Sequence, residues 1–343
     1  MNGHRTVFTT DRPLIHRELA LEAAPPRLDI EMLVSPDRAT LIAALAGAEF
    51  LISERAGLID AEVVAAGREL RLIQRLGSRV HDIDLDAARE SGVPVCTWPL
   101  AQSTMVAEHA MALILALVKR LGESMAVMTG EVDGDRDWGE PRECDADTFA
   151  INWSGRTGIT MLTDTTVGIV AMGEIGTELA RRLRAFGCRV LYHNRNRLPE
   201  WAEERLGVRY RTRDELLGES DVVCLLLPHS EESTGLTDAG FLARMRPGAM
   251  LVSCGASTTL DEDAVADALG SGHLAGVASD GHRWEPPRPD APLVALARDP
   301  RANVVLTPHT AQGDIRLTAE LRAPEFSNLV ALLDGRPLRH RVV

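Results

Sequence analysis

Apolar residues along the chain come in short runs separated by stretches of helical periodicity. In the first hundred residues, AEFLIS (48–53), LRLIQRLG (70–77) and VPVCTW (93–98) read as strands. IDAEVVAAG (59–67) and DIDLDAARESG (82–92) carry helical patterns between them. Strands alternating with helices predict a parallel sheet, here a small doubly wound domain. Residues 103–121 predict a long helix with Ser103 or Thr104 as its N-cap. It is apolar nearly all round, as a buried helix is. Residues 130–165 are polar, acidic and rich in turn formers, and predict an irregular, partly exposed arm docked by Trp138, Phe149 and Trp153.

From Val167 six further apolar runs follow: VGIV, RVLY, DVVCLLLP, AMLVSCG, LAGVASD and NVVLTPH. Helical stretches intervene at 177–186, 238–244 and 261–269, which together describe a full dinucleotide-binding sheet. The part over 313–333 is again helical in period, and in such folds it returns to the first domain. The expectation is therefore an α/β protein of two doubly wound parallel-sheet domains, the larger a Rossmann domain. The boundaries are 1–102 plus 313–343 for the substrate domain and 103–312 for the NAD(P)-binding domain, with an arm at about 128–165.

Length agrees, since 343 residues exceed a typical single domain. The net charge of −13 argues against non-specific nucleic-acid binding, which rests on neutralising phosphates. Five scattered cysteines without a CxxC pair fit a reduced, cytosolic protein, and no metal-ligand cluster is apparent. The opening MNGHRTVFTTDRP lacks the apolar core of a signal peptide. The apolar stretch 110–118 is too short for a bilayer span, so no membrane partner is expected.

The stretch 167–197, VGIVAMGEIGTELARRLRAFGCRVLYHNRNR, is a strand, a small-residue turn, an amphipathic helix and a second strand. This unit seats a pyrophosphate on a helix N-terminus. Gly173 and Gly176 stand at the second and third positions of GxGxxG, while Ala171 replaces the first. After the second strand an NAD site usually carries an acid, but this chain has His193-Asn194-Arg195-Asn196-Arg197. Two guanidiniums suit a 2′-phosphate, so NADP(H) is favoured over NAD(H). The alternative is that Arg195 and Arg197 are solvated loop residues.

The pieces DIDLDAARESGVPV, VAEHAMALILALVKR, VGIVAMGEIG, DVVCLLLPHSEESTGL, ARMRPGAMLV, SGHLAGVASD and NVVLTPH resemble, in order, the D-isomer-specific 2-hydroxyacid dehydrogenases. The NRNR stretch is most similar to the NADPH-using glyoxylate/hydroxypyruvate reductase branch. The resemblance implies a small-molecule substrate bound between the domains. It also implies a homodimer built partly through the arm. It carries cofactor contacts onto Gly173, Glu174, Ile175, Gly176, Asn194, Arg195, Arg197, Leu227, Pro228, Cys254, Gly255, Asp280, His309 and Thr104. Asp280 would meet the nicotinamide carboxamide, and Cys254 and Gly255 would pass the cofactor by backbone. No base is placed beside Cys254, which reads as a buried thiol and not a nucleophile. Trp98 and Trp284 either wall the substrate pocket or belong to the core.

The family's catalytic set is an Arg, a Glu and a His. The resemblance places the acid/base at His309, in LTPH, and its partner at Glu285, in WEP. A protonated imidazole gives a proton to the forming alkoxide, and a carboxylate beside it keeps the ring charged and oriented. The arginine is missing: aligned on Asp261-Glu262, SCGASTTLDE puts Ala256 at its position. Losing such a polarising donor costs about 3–4 kcal/mol of transition-state stabilisation. Three readings stay open. Another cation has moved in, Arg79 of LGSRVHDID first and Arg283 second, or Arg79 is a solvated turn residue. Alternatively, the substrate is a carbonyl compound other than a simple 2-keto acid. Or the chain is a nucleotide-binding sensor of little activity.

Overall fold

The computed structural model describes residues 3–54, 57–147, 151–313 and 316–343, and the expected docking of Phe149 falls outside them. The chain divides into two compact units, Met1–Thr104 with Asp314–Val343, and Met105–Gly313. The first carries β1 (His4–Thr10), β2 (Leu28–Val34), β3 (Phe50–Glu54), β4 (Leu72–Leu76) and β5 (Val95–Trp98). They are all parallel, in the order β2-β1-β3-β4-β5. Side chains alternate across this sheet: Val7, Leu51, Ile73 and Val95 pack on one face, Phe8, Phe50, Leu72 and Cys96 on the other. Strand β1 is central yet escapes the apolar pattern, because Thr6, Thr9 and Thr10 are buried among its seven residues. The chain terminus runs antiparallel onto β5, with Val342 N–H donating to Val95 O at 2.7 Å and Thr97 N–H to His340 O at 3.0 Å. An otherwise open edge is thereby paired.

The second unit carries β6 (Thr166–Val170), β7 (Arg189–His193), β8 (Val208–Tyr210), β9 (Val222–Leu225), β10 (Ala249–Ser253), β11 (Leu274–Ser279) and β12 (Val304–Leu306). The order is β12-β11-β10-β9-β6-β7-β8, again all parallel. The six expected strands are present. The seventh, β8, is only three residues long, too short to show a period. Strand order reverses between β6 and β9, the switch point at which open α/β sheets bind ligands.

The long helix spans Ala101–Val118, starting before the expected cap, so Ser103 and Thr104 lie inside its first turn. It ends early because Arg120 takes φ +47°, and a second helix, Leu121–Thr129, follows. The first helix is long and apolar enough for a membrane span, but its Ala107, Ala110, Ile114 and Leu117 pack against Val167 and Ile169. Among the described residues of 130–165 there is no helix or strand. Trp138 and Trp153 meet edge to face at 5.0 Å, and Arg156 ties this arm to Glu123 and Asp133 at 3.1 and 2.6 Å.

A buried ion cluster closes the first unit. Arg322 donates to Glu54 at 2.9 Å, to Glu325 at 2.9 and 2.7 Å and to the His16 carbonyl at 2.6 Å. Burial pushes the Glu325 carboxyl up to about 7, against the pull of Arg322. Replacing Arg322 by Met leaves buried Glu325 without its cation, while Glu54 keeps Arg12 at 3.3 Å and the Thr10 hydroxyl at 2.9 Å, and should cost roughly 1–3 kcal/mol at neutral pH. Urea unfolding followed by circular dichroism measures this, and the loss should shrink as acid neutralises the carboxylates.

Candidate active site

Strand β6 is buried over all five residues and breaks at Ala171, whose φ is +78°. That left-handed conformation is the one a first fingerprint glycine adopts freely, and an L side chain there costs roughly 1–2 kcal/mol. Two bonds brace the turn: Ala171 N–H donates to His193 O at 3.0 Å, and Met172 N–H to Asn194 Oδ1 at 2.6 Å. The helix Glu174–Ala185 starts from Gly173 with no side-chain cap. A Cβ built on Gly173 meets nothing within 4 Å, whereas one on Gly176 would lie 3.0 Å from Ala171 O. One glycine keeps the helix end open and the other lets helix and strand approach. Ile175 packs on the core beside them. Uncapped N–H groups over open space fit a dinucleotide pyrophosphate.

In the turn after β7 the two arginines differ in their partners. Arg195 is loosely placed, 3.4 Å from Glu232 with both side chains exposed. Arg197 is committed: its Nε and Nη2 donate to Glu203 at 2.7 and 2.8 Å. The Arg197 side chain itself is 59% exposed. Glu203 comes from the helix Glu200–Leu206, which no local reading of NRNR brings to this turn.

At the end of β10, the backbone after Cys254 presses against the end of β9. Ala256 N–H donates to Leu227 O at 2.8 Å, and a Cβ on Gly255 would lie 2.6 Å from the same oxygen. Pro228 continues that strand end, and its carbonyl accepts from Ser233 Oγ at 2.9 Å. Burial pushes the Cys254 thiol up to about 12, which agrees with an inert side chain. The loop carrying Ala256 abuts the loop after β11: a Cβ on Gly281 would lie 3.2 Å from Ser257 Cβ.

The loop after β11 carries Glu285, and the turn after β12 carries His309. His309 Nδ1 lies 2.8 Å from Glu285 Oε2, and Glu285 Oε1 accepts from His282 N–H at 3.1 Å. The bond to Glu285 raises the His309 pKa above the usual histidine value, burial opposes it, and the charges of Glu285 and Asp280 add to it. Glu285 is held below the usual carboxylate range by His309 first and then by His282 N–H. Asp280 is 3% exposed. Its Oδ1 accepts from Thr307 Oγ1 at 2.7 Å and Thr310 N–H at 2.9 Å, and its Oδ2 from Ala311 N–H at 2.9 Å. These bonds tie the Asp280 carboxylate to the turn that presents His309 at φ +54°.

Sequence reasoning missed two supporting histidines. His109 Nε2 bonds Thr307 Oγ1 at 2.9 Å, and buried His282 bonds Thr307 O at 2.9 Å. His109 stands in the matched piece VAEHAMALI, which could have flagged it. Arg79 and Thr104 lie in the first unit. Arg79 Nη2 contacts His81 Nε2 at 3.0 Å, while its buried Nε has no hydrogen-bond partner. His81 is pushed down by burial and then by Arg79, so it faces that guanidinium as a neutral acceptor. Thr104 N–H is spent on Leu100 O at 3.0 Å. Arg283 bonds Glu262 at 3.3 Å through its backbone, Trp284 stacks on Arg288 at 4.1 Å, and Trp98 meets His340 edge to face at 5.7 Å. Among the described residues no cluster could hold a metal.

The His309 ring should titrate above 6.5 in an NMR pH series. Glu285→Gln should move its midpoint downward, because the charge that favours the imidazolium is gone.

Comparison with known proteins agrees with this geometry. Residues 111–311 match the family described as D-isomer specific 2-hydroxyacid dehydrogenase, NAD binding domain. A D-3-phosphoglycerate dehydrogenase from Mycobacterium leprae is 33% identical over 283 residues, 82% of this chain and 49% of that protein. The chain thus spans about half the length of the phosphoglycerate dehydrogenases it matches. A glyoxylate reductase from Aeropyrum pernix is 32% identical over 340 residues, 95% of this chain and 93% of that protein. The solved structure of a glyoxylate reductase from Paecilomyes thermophila matches with a TM-score of 0.53 and 26% identity, covering 100% of this chain and 99% of that one. The ordered motifs, the seven-stranded sheet and these matches agree, and the chain belongs to the D-isomer specific 2-hydroxyacid dehydrogenase family.

Proposed function

We propose that the protein reduces the carbonyl of a 2-keto acid, or of a related small molecule, with His309 as acid/base and Glu285 as its orienting partner. The observation that carries this is the 2.8 Å bond between them, with His309 raised and Glu285 lowered. A nicotinamide dinucleotide, when bound at the loop after β6, supplies the hydride. Glu285 accepts a hydrogen bond from the Nδ1–H of His309, which leaves Nε2 to carry the transferred proton. In reduction Nε2 gives its proton to the developing alkoxide, and in oxidation the neutral ring takes it back.

Ala256 leaves the substrate without the family's usual cation. Arg79 is our candidate to hold the substrate carboxylate, since its Nε is unpartnered and no carboxylate pairs with it among the described residues. The vacancy at Ala256 also supports a second reading, a carbonyl substrate with no carboxylate to clamp. For the cofactor we favour NADPH over NADH, on Arg195 and on the absence of an acid over 193–197. A homodimer is our reading of the exposed Met125, Met128, Ile151, Trp153 and Met161 around the arm. The free cysteines accord with a reducing, cytosolic setting.

Steady-state assays of NADPH-dependent glyoxylate and hydroxypyruvate reduction test the reaction. His309→Gln should lower turnover by roughly 10²–10⁴ while NADPH still binds. The reductive rate should fall as pH rises through the raised His309 pKa, because the imidazolium is the acid. Turnover undiminished in His309→Gln would rule out this assignment. For the cofactor, Arg195→Ala should weaken NADPH binding by roughly tenfold in a fluorescence titration and leave NADH unaffected.

A further inference from the structure

An acid absent from the turn after β7 returns to it from the following helix. The Glu203 side chain is 9% exposed and accepts from Arg197 Nε and Nη2 at 2.7 and 2.8 Å and from the Tyr192 hydroxyl at 2.7 Å. The same hydroxyl accepts from Leu198 N–H at 2.9 Å, so the turn is stapled to the pair. The Arg197 guanidinium also lies 5.7 Å from the centre of the Tyr210 ring. Their mutual hydrogen bond is the largest cause holding Glu203 below the carboxylate range and Arg197 above the guanidinium range. Two-point pairing with a buried carboxylate is strong, and breaking it leaves that charge without its partner. Arg195 differs: its contact with Glu232 is 3.4 Å long and both side chains are at least 75% exposed, so it is free to turn.

We propose that Glu203 is a positioning residue that sets how strongly this chain discriminates between NADPH and NADH. It holds Arg197 out of reach of a 2′-phosphate and leaves recognition of that phosphate to Arg195. Glu203 need not touch the cofactor to do this. It acts by neutralising one of the two guanidiniums at the adenosine end of the site, so discrimination is weaker than NRNR implies. The inference rests on the reading that a dinucleotide binds at the loop after β6.

The test is a fluorescence titration of NADPH and NADH against the full chain, Glu203→Gln, Arg197→Ala and the double variant. Glutamine at 203 keeps the volume and an acceptor for Tyr192 while removing the charge. The inference expects Glu203→Gln to tighten NADPH binding by roughly tenfold with NADH unchanged. It expects Arg197→Ala alone to leave the NADPH-to-NADH ratio as it was, and the double variant to lose the gain. A tenfold loss of NADPH affinity in Arg197→Ala would overturn it, because Arg197 would then already hold the phosphate. An unchanged ratio in a Glu203→Gln protein that binds NADH normally would also overturn it. If Glu203→Gln fails to fold, Arg197→Ala still decides between these outcomes. Failure of the unmodified chain to bind either dinucleotide would instead sink the reading of the loop, and this inference with it.

Discussion

The buried carboxylate of Asp280 is the interaction on which the candidate site depends. At 3% exposure it accepts from Thr307, Thr310 and Ala311, and Asp280 O takes the His309 N–H at 2.9 Å. A charge so desolvated persists only when hydrogen bonds surround it, and those donors come from the turn that carries His309. The turn is therefore fixed by the needs of the acid. The positive φ of His309 is sustained by the same bonds. Thr307 extends the network to His109 and His282, and His282 returns a backbone N–H to Glu285.

Charge pairing recurs across the chain with different consequences. Between His309 and Glu285 it favours the imidazolium while both groups stay partly exposed, as a site that exchanges protons requires. Between Arg197 and Glu203 it ties an exposed cation to a buried carboxylate. In the first unit, Arg322 serves two carboxylates at once and acts as a clamp between β3 and the C-terminal segment. Pairing of opposite charges thus contributes to a candidate acid, a tethered arginine and a structural rivet.

The alternation of apolar runs and helical stretches was enough to read two parallel α/β sheets, because strands buried on both faces leave near-continuous apolar segments. It failed at β1, whose buried threonines break the run, at β2, where Asp29 and Glu31 interrupt it, and at β8, which has too few residues to show a period. It also carried the long helix past the left-handed Arg120 to Leu121 and missed the following helix, Leu121–Thr129. In the site, His309, Glu285 and the glycine loop were legible from motif order. The supporting His109 and His282 were not, because their partners lie 198 and 25 residues away.

The sequence by itself determined the fold class and the family, since these depend on residue type and order. Only the tertiary structure decided which charges remain available. Only packing pairs Arg197 with Glu203 and ties the Asp280 oxygens to the turn of His309. The reason is physical. The chemistry of an ionised side chain depends on which groups desolvate and pair with it, and packing chooses those groups across the chain.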